Sequence, residues 1–255
     1  MIVPAGDQSL HEDWFAPERR FHLCVNYYGD DEAVAARYAA RSDWFFRYKG
    51  TAFQSLIQIL KHHDFWKRYA YVQRVDDDIR ATAADWNTCF AICERFRLNS
   101  AQPSFEHDNL CWKIVGNDPQ CLLRYTNFVE IQSPIWSRQT LQQHVLPLLL
   151  AHEGRIRTGW GLDYVFAHQL RFRDMAIIDR VKVAHTRPHS TSSGFYKELA
   201  LDPRRELHET IARCGVRKRR AKVLGAVPLA REAEPPARAV LRRLKTAAVF
   251  RFGRR

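Results

Sequence analysis

The run Tyr69-Ala-Tyr-Val-Gln-Arg-Val75 stops on three consecutive aspartates, Asp76, Asp77 and Asp78. Aromatic and β-branched residues suit a buried strand, whereas three adjacent carboxylates repel one another and resist burial. The strand must therefore stop there, with the carboxylates at its end, where water or a cation reaches them. Two other runs end alike. Phe21 to Tyr27 is short and apolar and breaks at Gly29-Asp30-Asp31, and Met175 to Val183 is followed by His185.

Helical patterns separate these runs. Phe53, Leu56, Ile57 and Leu60 fall on one helical face, and Trp86, Cys89, Phe90, Cys93 and Phe96 form a stripe over 82–97 behind Thr82, a natural N-cap. Residues 98–126 read as loop, 127–132 as a strand and 138–152 as a helix despite Pro147. Gly159-Trp160-Gly161-Leu162-Asp163 reads as a loop opening a short helix that runs to about Leu170. Strands alternating with helices predict an α/β domain with a mixed, mostly parallel sheet flanked by helices. Ligands of such sheets bind at the carboxyl ends of strands. Residues 1–20 lack periodicity and read as a surface arm, 21–213 as the folded domain and 214–255 as a basic tail.

The tail follows from the charge. The 255 residues carry 40 Lys+Arg against 28 Asp+Glu, a net of +12. Residues 214–255 hold 13 of the basic residues and only Glu232 and Glu234, so the first 213 residues stand at +1. Within the tail, Val240, Leu241, Leu244, Ala248 and Phe252 share a helical face amid Arg and Lys. Residues 236–252 thus read as a helix for an anionic membrane surface, or as a solvated extension. Arg217-Lys-Arg-Arg220 has no aromatic near it, which disfavours nucleic acid. No apolar run reaches the roughly 18 to 20 residues of a membrane span, and the acidic start is unlike a secretory signal. The expected location is cytoplasmic, with a peripheral position on the inner face of the membrane as the tail's contribution. Six cysteines without a C-x-x-C pair read as free thiols, with a bridge or zinc site at Cys111 and Cys121 as the alternative.

Asp76 and Asp78 project the same way from an extended chain and can share one divalent ion, Mn2+ or Mg2+, which takes hard oxygen ligands together with substrate phosphates. An exposed acidic turn is the alternative. His185 joins as a borderline ligand if its strand lies beside Asp78, with His189 as a substitute. Two glycines around Trp160 make a loop able to bring that ring over a ligand. Asp163 serves either as a helix cap or as a general base.

Four blocks carry a resemblance: Ala70-Tyr-Val-Gln-Arg-Val-Asp-Asp-Asp-Ile79, Asn99-Ser-Ala-Gln-Pro103, Phe128-Val-Glu-Ile-Gln-Ser-Pro-Ile-Trp-Ser-Arg138 and Gly159-Trp-Gly-Leu-Asp-Tyr164. Over about residues 20–190 the chain resembles a plant and bacterial family named lysine-ketoglutarate-reductase trans-splicing related (DUF707), itself similar to GT-A glycosyltransferases. More distantly it resembles β-1,4-galactosyltransferases, whose Gly-Trp-Gly loop precedes an acidic pair; here that pair is Leu162-Asp163. The resemblance implies a GT-A-like (Rossmann-like) fold and transfer of a sugar, with inversion, from a nucleotide-diphosphate donor, a UDP-sugar foremost, to a hydroxyl of a glycan or lipid-linked acceptor. It implies Asp76, Asp78 and His185 as metal ligands and Asp163 as the base. Asn26, Tyr27, Asp30, Lys49, Asp76 and Asp77 fall to the nucleotide, and Glu130, Trp160 and Gly161 to the sugars. The alternative is a non-catalytic carbohydrate- or nucleotide-binding relative of that fold.

Overall fold

Ile2 to Ala5, expected on the surface, is the strand β1 at the middle of the sheet system. The computed structural model describes residues 1–108, 110–187 and 195–229, apart from the side chains of Phe195 and Glu198. β1 (Ile2–Ala5) pairs in parallel with β2 (Cys24–Tyr27), and all eight residues are buried. A strand covered on both faces shows no polar alternation, and Pro4 within it reads as a loop residue, so the sequence pattern conceals it. Asp31 caps α1 (Glu32–Arg41), its Oδ1 accepting the amides of Ala33 and Val34. The chain then returns as β3 (Trp44–Phe46), parallel to β2.

α2 (Ala52–His62) opens on a reciprocal capping box between Thr51 and Gln54. It buries Phe53, Leu56, Ile57 and Leu60, the face read from the sequence. β4 (Tyr71–Gln73) and β5 (Ile79–Arg80) flank the aspartate triplet, and α3 (Ala83–Phe96) starts from a second capping box, Thr82 with Asp85. The segment read as loop holds two strands, β6 (Ser100–Phe105) and β7 (Cys121–Thr126). Residues 127–132, read as a strand, form a crossing loop ahead of β8 (Ile135–Ser137).

The helical stretch after β8 comprises α4 (Arg138–Thr140), a π-turn (Leu141–Val145) and α5 (Leu146–Ala151). Pro147 is the second residue of α5 and follows directly on the π-turn. α6 (Leu162–Gln169) leads to β9 (Met175–His185), followed by α7 (Phe195–Glu198), α8 (Pro203–Arg213) and β10 (Val223–Pro228).

The second sheet runs β10-β7-β9-β6-β8-β4, with β6 and β9 parallel and its other neighbours antiparallel. A parallel bridge from Ile2 to Arg74, with the Val75 amide donating to the Ile2 carbonyl at 3.1 Å, joins it to the first sheet. Parallel pairing is thus concentrated in the amino-terminal half. β10 belongs to the sheet, so the boundary expected at residue 214 divides the folded body. Val216 is buried, and the Asn127 side chain clasps the strap before β10, donating to the Arg220 carbonyl at 3.0 Å and accepting from the Lys222 amide at 2.6 Å. The proposed membrane helix at 236–252 and His189 lie outside the described residues. All six cysteines are free thiols, and no described helix is long and apolar enough to cross a membrane.

Candidate active site

The three aspartates take three different partners. The Arg74 guanidinium pairs with Asp76 and donates to the carbonyls of Ile131 at 2.6 Å and Gln132 at 3.2 Å while lying 4.9 Å from the centre of the Phe53 ring. Asp77 turns inward: its Oδ2 accepts the Gly6 amide at 2.9 Å and the Tyr28 hydroxyl at 3.2 Å, and its Oδ1 receives Arg187 at 2.9 Å. Two arginines thus supply much of the compensation expected from a metal, and Asp77 ties β1 and β2 to the triplet instead of facing a nucleotide.

Asp78 is the exception. β5 lies antiparallel to the end of β9, with Ile79 opposite His185, and this brings His185 Nε2 to 3.3 Å from Asp78 Oδ2. The other oxygen, Oδ1, is buried with no hydrogen-bond partner among the described residues. Burial first, then the charges of Asp76 and Asp77, push the Asp78 carboxyl up to about 7. An orphaned carboxylate oxygen beside an imidazole fits one face of a Mn2+ or Mg2+ site completed by phosphate oxygens. Among the described residues no cluster of three His, Cys, Asp or Glu side chains could hold an ion unaided, and Asp76 is engaged by Arg74.

The nucleotide residues expected at the end of β2 are mostly structural. Asn26 is 1% exposed and pairs both amide atoms with the Tyr48 backbone at 2.9 Å, extending the β2–β3 ladder. The buried Tyr27 hydroxyl donates to Asp7 at 2.5 Å and accepts the Asp31 amide at 2.9 Å. Both are therefore withdrawn from a ligand. Lys49 and Asp30 stay exposed, 2.6 Å apart, with Lys49 also donating to the carbonyls of Tyr28 and Gly29.

A second group of side chains surrounds Asp163. Gly161 occupies the N-cap position of α6, so Asp163 is not the cap; its Oδ1 accepts the Tyr164 amide at 2.9 Å. It is 4% exposed, and burial raises its carboxyl to about 7, with Lys218 opposing the rise. Glu130, in the crossing loop, is 3% exposed, its Oε2 has no hydrogen-bond partner among the described residues, and its amide donates to Gln102 Oε1 at 2.5 Å. Burial, followed by the charges of Asp163 and Asp76, drives the Glu130 carboxyl well above its usual range. Glu130 and Asp163, distant in sequence, thus come close enough for the charge of one to bear on the other. Burial, then the charge of Glu130 and a hydrogen bond to it, push the neighbouring Cys111 thiol up to about 12.

The Gly-Trp-Gly loop is held from outside. Glu206 of α8 accepts the backbone amides of Arg157 at 3.1 Å, Thr158 at 2.9 Å and Gly159 at 2.9 Å. Gly159 has φ +82°, and a Cβ there would lie 2.3 Å from the Phe53 ring. Trp160 donates its indole N–H to the Tyr196 hydroxyl at 3.3 Å. The structure brings the expected Asp78 together with His185 and Asp163 near Glu130, and adds Arg74, Arg187, Tyr196 and Glu206, which the sequence did not suggest. The four-residue block around Val-Asp-Asp-Asp offered one signal, since Arg74 directly precedes it.

This mixed sheet, with helices on its faces and polar residues gathered at strand ends, is a GT-A-like fold. The chain superposes on the crystal structure of Staphylococcus aureus TarS residues 1–349 in complex with UDP-GlcNAc with a TM-score of 0.52 at 12% identity, over 84% of this chain and 64% of that one. Mannosyl-3-phosphoglycerate synthase from Rubrobacter xylanophilus gives 0.48 at 9% identity, over 84% and 74%. The chain therefore spans less than two thirds of the TarS fragment. No protein-family model and no curated protein matches the sequence.

Proposed function

We propose that the protein is a metal-dependent glycosyltransferase that takes a sugar from a nucleotide-diphosphate donor to a hydroxyl acceptor, a glycan or a lipid-linked glycan. The observation that carries this reading is the meeting of Asp78 and His185 at the strand ends of a GT-A-like sheet that also positions a buried Asp163 with a carboxyl near 7. The TarS complex with UDP-GlcNAc supports a UDP-sugar as the donor. The likeness to the trans-splicing-related family rests on the four sequence blocks and points the same way.

Asp78 and His185 would hold Mn2+ or Mg2+, which neutralises charge on a departing diphosphate when bound. Asp163 takes the proton of the acceptor hydroxyl. The oxygen then forms a bond to the anomeric carbon as the bond to the diphosphate breaks, and the nucleotide leaves with that electron pair. A single displacement of this kind inverts the anomeric centre. A carboxyl near 7 suits a general base working close to neutral pH. Glu130, buried near Asp163, hydrogen-bonds a sugar hydroxyl, and Trp160 packs on the sugar face. Lys49 and Asp30 remain as nucleotide contacts.

The pairing of Asp76 with Arg74 and of Asp77 with Arg187 favours a second reading, a binding protein of this fold without turnover. Thermal unfolding with Mn2+ and UDP together, followed by donor hydrolysis over a panel of nucleotide-sugars, tests both. A melting shift lost in Asp78→Ala, with turnover, supports the transferase; a shift without hydrolysis or transfer leaves the binding protein; no shift with any nucleotide diphosphate overturns the transferase and a nucleotide-binding relative alike.

A further inference from the structure

The basic run Arg217-Lys-Arg-Arg220, which reads as part of a tail, is built into the body beside Asp163. An open-sided cavity of about 550 Å³ is lined by Trp112 and Tyr164 together with Lys113, Lys218, Arg219 and Arg220. Lys218 Nζ lies 5.6 Å from the centre of the Trp112 ring and 5.9 Å from that of Tyr164, whose rings meet edge to face. No Asp or Glu lines the cavity among the described residues. Arg124, also in its wall, is committed to Asp179 through two 2.8 Å contacts.

Neighbouring cations repel unless an anion compensates them. Here the backbone that carries them is held in place, because Val216 is buried, Asn127 grips the backbone of Arg220 and Lys222, and β10 is paired with β7, while the cationic side chains are exposed. Such a wall rejects neutral or cationic ligands relative to anionic ones, and lysine and arginine side chains together are a common phosphate grip. The aromatic side offers faces for an apolar or sugar ring. The cavity also adjoins the proposed base: Tyr164 follows Asp163 and donates its amide to it, and Lys218 bears electrostatically on the same carboxyl.

We infer that this cavity is the acceptor site, and that the acceptor carries a phosphate group gripped by Lys113, Lys218 and Arg220 while its hydroxyl faces Asp163. This rests on the transferase reading and names its substrate class. The phosphate could belong to a small phosphorylated polyol or to a lipid headgroup.

Calorimetric titration of the full chain with glycerol 3-phosphate, with glycerol as control, and co-sedimentation with phosphatidylglycerol vesicles, with phosphatidylcholine as control, test this. At least one phosphate probe should bind and both controls should not; the probe that binds names the source. Binding should weaken at least tenfold in Lys218→Gln/Arg220→Gln and in Lys113→Gln, whose exposed side chain comes from a separate segment, and should fall with salt. Absence of binding by both phosphate probes, or binding unchanged in both variants, overturns the inference. The melting shift with Mn2+ and UDP in the wild type keeps the two readings apart: its presence with a phosphate-blind cavity refutes the acceptor assignment alone, and its absence refutes the transferase.

Discussion

The Glu206 carboxylate lies 2.9 Å from the Gly159 amide nitrogen, and so couples α8 to the loop that delivers Asp163. Glu206→Ala leaves three backbone N–H groups without this acceptor and should cost about 1 to 3 kcal/mol. Glu206→Gln retains an accepting oxygen and should recover part of this. Urea denaturation of the three proteins checks the order; equal midpoints for the wild type and Glu206→Ala would show that the clasp does not hold the loop.

Gly159 and Gly154 have nearly the same backbone angle, φ +82° and +83°, but only Gly159 faces a ring. Gly154→Ala meets nothing within 4 Å and should lose about 1 kcal/mol to the left-handed conformation alone. Gly159→Ala must also displace Phe53, and through it Arg74, for a loss of about 3 kcal/mol. The difference between the two denaturation midpoints isolates the Phe53 contact.

Asp163→Asn should lower transfer by about 10² to 10⁴ and leave the melting shift with Mn2+ and UDP in place. In the wild type, the rate at low substrate should rise with pH through an inflection near 7, because the base works ionised. Stability runs the other way. A carboxyl raised to about 7 binds its proton more tightly folded than unfolded, so its contribution is fully present below about pH 4 and is lost as pH rises through 7. Melting curves at pH 5 and pH 8 should therefore show Asp163→Asn gaining on the wild type at the higher pH.

Removing residues 216–255 takes away β10 and the buried Val216, whereas removing 230–255 leaves both. The first deletion should lower the melting temperature more than the second. Identical melting curves would mean that β10 contributes nothing to the sheet.

The strands that run into Tyr27, into Asp76 and into His185 were legible, as were helices that open on Thr51, Thr82 and Gly161. β6 was not, because Ser100, Gln102, Pro103 and Ser104 are buried there without being apolar; Ser104, for example, donates to the Val181 carbonyl at 2.9 Å. Phe128 to Gln132 alternates like a strand, yet its alternation places Phe128 in the core and Glu130 beside Asp163. The pairing of Asp78 with His185 was readable as a condition on strand adjacency, which β5 and β9 meet. Lys218 was not readable, because a run of like charge ordinarily marks a solvated segment and only the pairing of β10 with β7 brings it back.

The placement of β1 and β10 sets the order in which the protein can be completed. β1 stands between β2 and the approach to Asp76, while β10 closes the far edge and seats the cations beside Asp163. On the ribosome, every element up to α8 will have emerged before the cavity acquires its basic wall. The proposed acceptor site therefore gains Lys218 and Arg220 only after the residues of the proposed metal site and base have been made.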